Sequence, residues 1–334
     1  MRAVVVESLS GPRAVVLRDI PSPAGAHRRA NGRRVLIEVH AAGLSFIDPL
    51  QTRGRYQAGV DPPYVCGSEL AGKVLEAPSD SWVKPGDRVC GIVWQGAMAE
   101  EALALEDFMV KLPDNMPYVE GAAIYMNFAT AWYALDRAGA APGETVLVSG
   151  AAGGVGTALL DLGSAFGVST IALVSSATKA AMAASAGATY VVRTDGSEGP
   201  WLERVRSLTD GRGAHVFVDQ VGADMFLDLM RALRIGGRGV VVGFTGGAIP
   251  EVKVNRLLLR NLTLTGITMD TMETEYPGTL ARVGDGVQRL LDAGKLHPAI
   301  GAIYPLVNAA DALASIEERS AVGKVVVEVR SPKT

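Results

Sequence analysis

The sequence predicts an α/β protein in which a β-rich domain precedes a doubly wound parallel sheet. Three observations carry that prediction. Residues 1–110 break into short strand-like runs punctuated by Gly and Pro. From about Pro117 the texture changes, and apolar runs of strand character alternate with Ala- and Leu-rich helical stretches, the pattern of βαβ units. At the head of that alternation, Thr145-Val-Leu-Val-Ser149 leads into Gly150-Ala-Ala-Gly153-Gly154-Val-Gly156, after which Ala158, Leu159, Leu160, Leu162 and Phe166 recur at helical spacing. A chain of 334 residues has room for about two domains. Hydrophobic content of 48% and charged content of 20% are those of an ordinary globular protein. The net charge of −3 offers no basic field to nucleic acid or anionic membrane. Two cysteines, Cys66 and Cys90, are too few for a disulfide framework or a four-cysteine zinc site. The run Met1-Arg-Ala-Val-Val-Val-Glu7 is too short for a secretory signal and no apolar run would span a bilayer, so a cytoplasmic protein is expected.

In chain order, Val35-Leu-Ile-Glu-Val39 is a predicted strand. It follows the basic stretch His27-Arg28-Arg29-Ala-Asn-Gly-Arg33-Arg34, whose Asn-Gly marks a solvated loop rather than a phosphate grip. Strands are also predicted at Gly72–Glu76 and Asp87–Val93, with Lys84-Pro85-Gly86-Asp87 as the turn between them. Glu120 to Ala138 reads as one helical region ended by Gly139 and Pro142. Beyond the glycine-rich turn come the strand Thr170–Val174, a helix from Ala177 to Ala186, the strand Tyr190–Val192 and a helix from Trp201 to Leu208. The strand His215–Asp219 follows, then an amphipathic helix Met225–Leu233 stopped by Gly236-Gly237, which launch a strand at Gly239–Gly243. Leu262–Gly266 is the last predicted strand of the sheet. As a bare edge it invites pairing with a second copy, so a homodimer is expected. A helix from Thr279 to Ala293 and a strand Lys324–Val329 complete the pattern.

The glycine-rich turn matches the dinucleotide fingerprint as Ala151-x-Gly153-x-x-Gly156, with Ala in place of the first Gly. Without a Cβ, Gly153 lets the backbone approach a pyrophosphate, and Gly156 lets helix and strand pack closely. The phosphates would sit at the helix N-terminus, where unpaired N–H groups and the macrodipole favour negative charge. Some twenty residues past such a turn, NAD-binding chains place an acid on the ribose hydroxyls. Here that position reads Ser175-Ser176-Ala177-Thr178-Lys179, with no acid and with Arg193 just past the next strand. Hydroxyls and a lysine welcome a 2′-phosphate that a carboxylate would repel, so the expected cofactor is NADPH. Ser176 also suits a helix N-cap.

At this point a family resemblance emerges. Gly150-Ala-Ala-Gly-Gly-Val-Gly156, Ala41-Ala-Gly-Leu-Ser-Phe-Ile-Asp48, Gly67-Ser-Glu-Leu-Ala-Gly72, Lys84-Pro-Gly-Asp-Arg-Val89, Asn127-Phe-Ala-Thr-Ala131 and Val322-Gly-Lys-Val325 resemble the zinc-free quinone oxidoreductase branch of the medium-chain dehydrogenase/reductase superfamily. The resemblance implies a GroES-like catalytic domain, residues 1–119 completed by 270–334, around a Rossmann domain, residues 120–269, with the active site in the interdomain cleft. It places Gly153, Gly154, Val155 and Gly156 on the pyrophosphate, and Ser175, Lys179 and Thr194 around the 2′-phosphate. Ala152 beside the first group and Ser176 beside the second are further candidates, and Arg193 would be a second cation for the phosphate. It places Thr130, Gly222, Phe244, Thr245, Ile267 and Thr268 along the nicotinamide half, and has Lys324 approach from the return segment. Zinc alcohol dehydrogenases of the superfamily have Cys and His where Ser45 and Ser68 stand here. A hydroxyl does not replace thiolate or imidazole as a zinc ligand, so no metal site is expected. Ser45 and Leu50 also stand where the quinone branch commonly has Asn and Tyr, which with Phe46 implies an altered, more apolar substrate pocket.

Without a metal to polarise a simple carbonyl, the fitting chemistry is hydride addition to an activated acceptor, a quinone or a similar conjugated carbonyl. Tyr56, in the loop Arg53-Gly-Arg55-Tyr56-Gln57, is the candidate proton donor or pocket hydroxyl. Two other functions stay open: an enoyl or alkenal double-bond reductase, and, more remotely, an NADPH-binding protein with a regulatory or RNA-binding task. The charge balance and the lack of a basic-aromatic stripe argue against nucleic acid. No nucleophile elbow accompanies His27, His40, His215 or His297, so a Ser-His-Asp hydrolase is not indicated.

Overall fold

The computed structural model describes residues 1–25, 34–57 and 59–330. The basic loop expected at His27–Arg33 lies outside them; Arg34, at its end, pairs with Glu76 at 2.9 Å. The chain divides into two units, one made of Met1–Asn127, Leu280–Gly294 and the chain from Ile300 onward, the other of Phe128–Thr279 and Lys295–Ala299. Among the described residues no helix is long and apolar enough to cross a membrane.

The first unit is mainly antiparallel. Its strands are β1 (Arg2–Val6), β2 (Val16–Asp19), β3 (Val35–Leu44), β4 (Tyr64–Val65), β5 (Glu69–Glu76), β6 (Arg88–Ile92), β7 (Glu101–Ala104) and β8 (Met109–Lys111), with the short helix α1 (Ile47–Thr52) after β3. Strands β2, β1 and β4 form a small sheet, and β3, β5, β6 and β8 lie side by side in a larger one, with β7 also on β3. Apolar side chains on the inner faces, including Val35, Ile37, Val39, Leu70, Val74 and Val89, make its core. The turn at 84–87 closes as expected: Asp87 N–H donates to Lys84 O at 3.0 Å, and Asp87 Oδ2 accepts Lys84 N–H at 2.8 Å.

The helical region expected from Glu120 to Ala138 is two helices, α2 (Tyr118–Gly121) and α3 (Tyr125–Arg137). The cause is tertiary. Glu69 Oε1 accepts the N–H of Met126 at 2.6 Å, capping α3 from a distant strand. The connecting turn lies directly on β3, where a Cβ on Gly43 would fall 1.8 Å from Ala122 O.

The second unit is the Rossmann-type sheet. Strands β9 (Thr145–Val148), β10 (Ser169–Val174), β11 (Tyr190–Arg193), β12 (Ala214–Asp219), β13 (Leu233–Val241) and β14 (Thr263–Gly266) are all parallel, in the order β11-β10-β9-β12-β13-β14. Between them run α4 (Gly154–Phe166), α5 (Ala177–Ser185), α6 (Trp201–Leu208), α7 (Met225–Ala232) and α8 (Asn255–Arg260), followed by α9 (Met269–Glu275). Leu147, Ile171, Phe217, Phe226 and Leu229 fill the core, with Phe217 and Phe226 edge to face at 5.5 Å. One boundary differs from the sequence expectation. Gly236-Gly237 do not separate α7 from the next strand; α7 stops at Ala232, and β13 begins at Leu233 opposite Ala214. Its register with β12 shifts before Val216, and Gly236 takes φ +75°, so the glycines are an irregularity inside β13.

The chain then returns to the first unit. Helix α10 (Thr279–Asp292) brings Gln288, whose amide accepts the N–H of Lys111 at 2.7 Å and donates to its carbonyl at 3.1 Å, closing the free edge of β8. Strands β15 (Ile300–Pro305) and β16 (Lys324–Glu328), with α11 (Ala309–Glu317) between them, extend the large sheet; β16 pairs with β3 from Val325↔Leu44 to Glu328↔Ala41.

Candidate functional site

In the second unit, the glycine-rich turn sits between β9 and α4. Gly150 takes φ +60°, its carbonyl accepts Gly153 N–H at 3.0 Å, and Gly153 is the N-cap of α4 without any side-chain cap. The N–H groups of Gly154, Val155 and Gly156 form the first helical turn, which has no intrahelical acceptor. Two glycine environments test whether a pyrophosphate fits. A Cβ on Gly156 would lie 2.3 Å from Gly150 O and 2.7 Å from Ala151 Cα, so only glycine permits this packing of helix on turn. A Cβ on Gly153 would meet only Gly150 O, at 3.4 Å, so the space around this turn is otherwise open. Ala152 is buried beneath. The residues present fit a dinucleotide phosphate.

At the end of β10, Ser176 Oγ accepts Lys179 N–H at 3.3 Å and so caps α5. The Lys179 ammonium rests on Ser175 Oγ at 3.2 Å, not on a carboxylate. Thr194 is tied to Val174 O by its N–H at 2.8 Å and its hydroxyl at 3.2 Å. Arg193 differs from Lys179 in being matched already: it pairs with Asp195, whose carboxyl is held down to about 2 by the Ser197 hydroxyl and by Arg193.

The next loop hangs on a carboxylate that sequence reasoning passed over. Asp219, fully buried at the end of β12, accepts Val221 N–H and Gly222 N–H, each at 3.0 Å, and the Ser149 hydroxyl. Ser149 Oγ in turn accepts Gln220 N–H at 3.1 Å, and the Gln220 side chain donates to Ser149 O at 3.0 Å. Burial pushes the Asp219 carboxyl up, against these donors. Gly222 takes φ +69°, and a Cβ there would meet Phe244 Cδ1 at 2.8 Å. Thr245 donates to Gln220 O through both N–H and hydroxyl at 2.9 Å. Gly222, Phe244 and Thr245 are thus brought together. Ile267 and Thr268 follow β14, with Thr268 capping α9, and Thr130 is half-buried on α3.

In the first unit, β3 ends at a buried charged cluster. Lys324, 2% exposed on β16, donates to Glu69 Oε2 at 2.5 Å and to Ser45 Oγ at 3.0 Å. Lys324, expected from the return segment at the cofactor, therefore has its ammonium engaged by Glu69 and Ser45. Burial pushes the Glu69 carboxyl up against the opposing pull of Lys324. Ser45 N–H donates to Asp48 Oδ2 at 2.7 Å. Asp48 is fully buried, which pushes its carboxyl up as well. Phe46 and Leu50 are half-buried around α1, and Tyr56 is half-buried beyond it. Glu69 and Asp48 were passed over at the sequence level, although both stand inside motifs quoted above. The missing signal was Lys324, more than 250 residues from Glu69. Cys66 and Cys90 are buried thiols, pushed up by burial, and among the described residues no three His, Cys, Asp or Glu side chains cluster as a metal site.

Residues 31–114 match the alcohol dehydrogenase GroES-like domain family and residues 154–284 the family described as zinc-binding dehydrogenase. Quinone oxidoreductase-like protein 2 of Mus musculus is 34% identical over 325 residues, 95% of this chain and 92% of the relative. A crystal structure of a probable oxidoreductase from Mycobacterium abscessus aligns with a TM-score of 0.86 at 34% identity, covering 98% of each chain. The quinone oxidoreductase of Thermus thermophilus, solved also in complex with NADPH, aligns with a TM-score of 0.81 at 31% identity, covering 98% of this chain and all of that one (100%).

Proposed function

The chain belongs to the medium-chain dehydrogenase/reductase superfamily, in its quinone oxidoreductase branch, and from that premise we propose that it is an NADPH-dependent reductase of quinones or similar conjugated carbonyls. The observation that carries the coenzyme choice is the end of β10. Ser175, Ser176 and Lys179 occupy the place of the ribose-binding acid, and the Lys179 ammonium faces a hydroxyl where an NAD site would have a carboxylate. NADPH, when bound, supplies the hydride. The first turn of α4 holds the pyrophosphate with backbone N–H groups, and Gly156 keeps that turn against the strand. Asp219 fixes the backbone of Val221 and Gly222, and through it the Phe244–Thr245 loop offered to the nicotinamide half.

The acceptor class follows from Ser45 and Ser68. Two hydroxyls at these positions do not hold a zinc ion that would polarise an isolated carbonyl. A conjugated acceptor needs less help, since its electrophilic carbon takes the hydride and conjugation carries the charge to oxygen. Tyr56 remains a candidate pocket hydroxyl. The test is NADPH consumption against a panel of quinones, enones, enoyl thioesters and simple aldehydes. Turnover of quinones and enones supports the reading, preference for enoyl thioesters moves the protein to the double-bond reductases, and oxidation of NADPH by none of them refutes it.

We also propose a homodimer joined along β14. That strand is an edge of its sheet, and the adjoining helix α8 exposes Leu258 at 77% and Leu259 at 74%. Light scattering at micromolar concentration tests this, and a monomer refutes it.

A further inference from the structure

We infer that the Ser45 hydroxyl, polarised by Lys324, is the hydrogen-bond donor that grips the carbonyl oxygen of the acceptor and passes it a proton. The inference rests on the reductase reading above and adds to it a residue and a direction of hydrogen bonding.

An ammonium only donates. With Lys324 Nζ at 3.0 Å from Ser45 Oγ, one lone pair of that oxygen is filled and its own hydrogen must point elsewhere. Among the described residues nothing accepts it. The rest of the cluster is sealed: Glu69, Asp48 and Ser68 are fully buried and Lys324 is 2% exposed. Ser45 alone is half-buried, so its hydroxyl is where the cluster meets whatever enters. Met126 N–H and the Lys324 ammonium both donate to Glu69, and Lys324 donates a second time to Ser45 Oγ, which leaves that hydroxyl with a spare hydrogen. A charged donor behind a hydroxyl strengthens that hydroxyl as a donor.

The oxygen is also held in place. Ser45 N–H donates to Asp48 Oδ2 at 2.7 Å while Asp48 N–H donates back to Ser45 O at 3.1 Å. Lys324 is pinned from the far side by Glu69. A donor fixed before the acceptor arrives costs no reorganisation when charge develops on the acceptor oxygen. The surrounding charge selects what binds. Glu69 offsets most of the Lys324 charge and Asp48 lies alongside, so the site suits a neutral carbonyl better than a free anion.

The electrophilic carbon of the acceptor receives the hydride and a C–H bond forms there. The π pair moves through the conjugated system to the carbonyl oxygen. That oxygen takes the Ser45 proton, so an O–H bond forms as the Ser45 O–H bond breaks. Lys324 then returns a proton to Ser45 Oγ and is itself reprotonated through the Ser45 hydroxyl from water that enters after the enol or hydroquinone leaves. One hydride and one proton are consumed.

The experiment uses the intact protein with oxidised NADP and cyclohexenone carrying an isotopically labelled carbonyl, read by infrared difference spectroscopy, beside steady-state kinetics with NADPH. The labelled carbonyl stretch should fall to lower frequency on wild type and on Ser45→Thr, and should stay near its unbonded value on Ser45→Ala. Loss of a charge-assisted donor should lower kcat/KM of Ser45→Ala by about tenfold to a hundredfold, mostly in kcat, with Ser45→Thr restoring most of it. An unshifted carbonyl on wild type, or a Ser45→Ala variant with unchanged kcat, overturns the inference and leaves the reductase reading intact. Failure of wild type to reduce any conjugated carbonyl overturns both.

Discussion

Replacing Lys179 by alanine removes an ammonium that contacts Ser175 Oγ at 3.2 Å and leaves the α5 cap intact, since Ser176 bonds to the backbone N–H at 179. The fold should therefore be nearly indifferent to the change, and the loss should appear in nucleotide binding. A charge-assisted hydrogen bond to a phosphate contributes about 1.5–3 kcal/mol, or roughly tenfold to a hundredfold in affinity. Because Lys179 is half-exposed, solvent screening places the expected loss nearer tenfold. Arg193, already paired with Asp195, should compensate little. NADH lacks the phosphate and should bind Lys179→Ala as it binds wild type. Ser175→Asp should go further and reverse the preference, by repelling the phosphate and accepting from the free ribose hydroxyls. Quenching of protein fluorescence gives the Kd of each nucleotide for each variant, and raising the salt should weaken wild-type NADPH binding more than that of Lys179→Ala. If wild type binds NADH as tightly as NADPH, or if Lys179→Ala weakens both alike, the phosphate site lies elsewhere.

Gly156→Ala places a methyl 2.3 Å from Gly150 O, and such overpacking should cost about 1–3 kcal/mol, seen as a lower Tm together with weaker binding of either nucleotide. Lys324→Met leaves Glu69 buried without its cation and should destabilise the protein by about 3–5 kcal/mol in denaturant titration, whereas Lys324→Met with Glu69→Gln should recover much of that; a fully stable single variant refutes the pairing argument. Elemental analysis should find no stoichiometric zinc and chelators should leave activity unchanged, because Ser45 and Ser68 are poor ligands; one zinc per chain contradicts this.

Legibility in the sequence followed the range of the interactions. Helix α6 was predicted to the residue, Trp201 to Leu208, because its ends are marked locally. The strands β9, β10 and β12 were read from runs of β-branched residues, and the glycine-rich turn from its spacing. The break between α2 and α3 was not legible, because its determinant is Glu69 on another strand. The start of β13 was hidden behind Gly236-Gly237, which read as a stop signal and prove to lie within the strand. Strand β15 has half-buried and exposed residues in alternation and no buried one, which leaves little apolar pattern to find. In the candidate sites, residues that carry a motif were visible, and those whose meaning depends on a distant partner, Asp219 with Ser149 and Glu69 with Lys324, were not.

The pairing of β16 with β3 has a consequence for how the chain acquires its structure. Val325 to Glu328 lie against Leu44 to Ala41, so a ribosome making this protein must deliver the entire second unit before β3 gains that neighbour. Every strand of the parallel sheet precedes β16, and that sheet is free to form during synthesis. The first unit, begun earlier, waits with the Ala41–Leu44 end of β3 open on one side and with Glu69 lacking its cation. Arrival of a single short strand then closes the sheet and neutralises the buried carboxylate together. Truncation upstream of Lys324 should therefore leave a protein whose nucleotide-binding half is sound while its other half remains unsealed and prone to capture by chaperones.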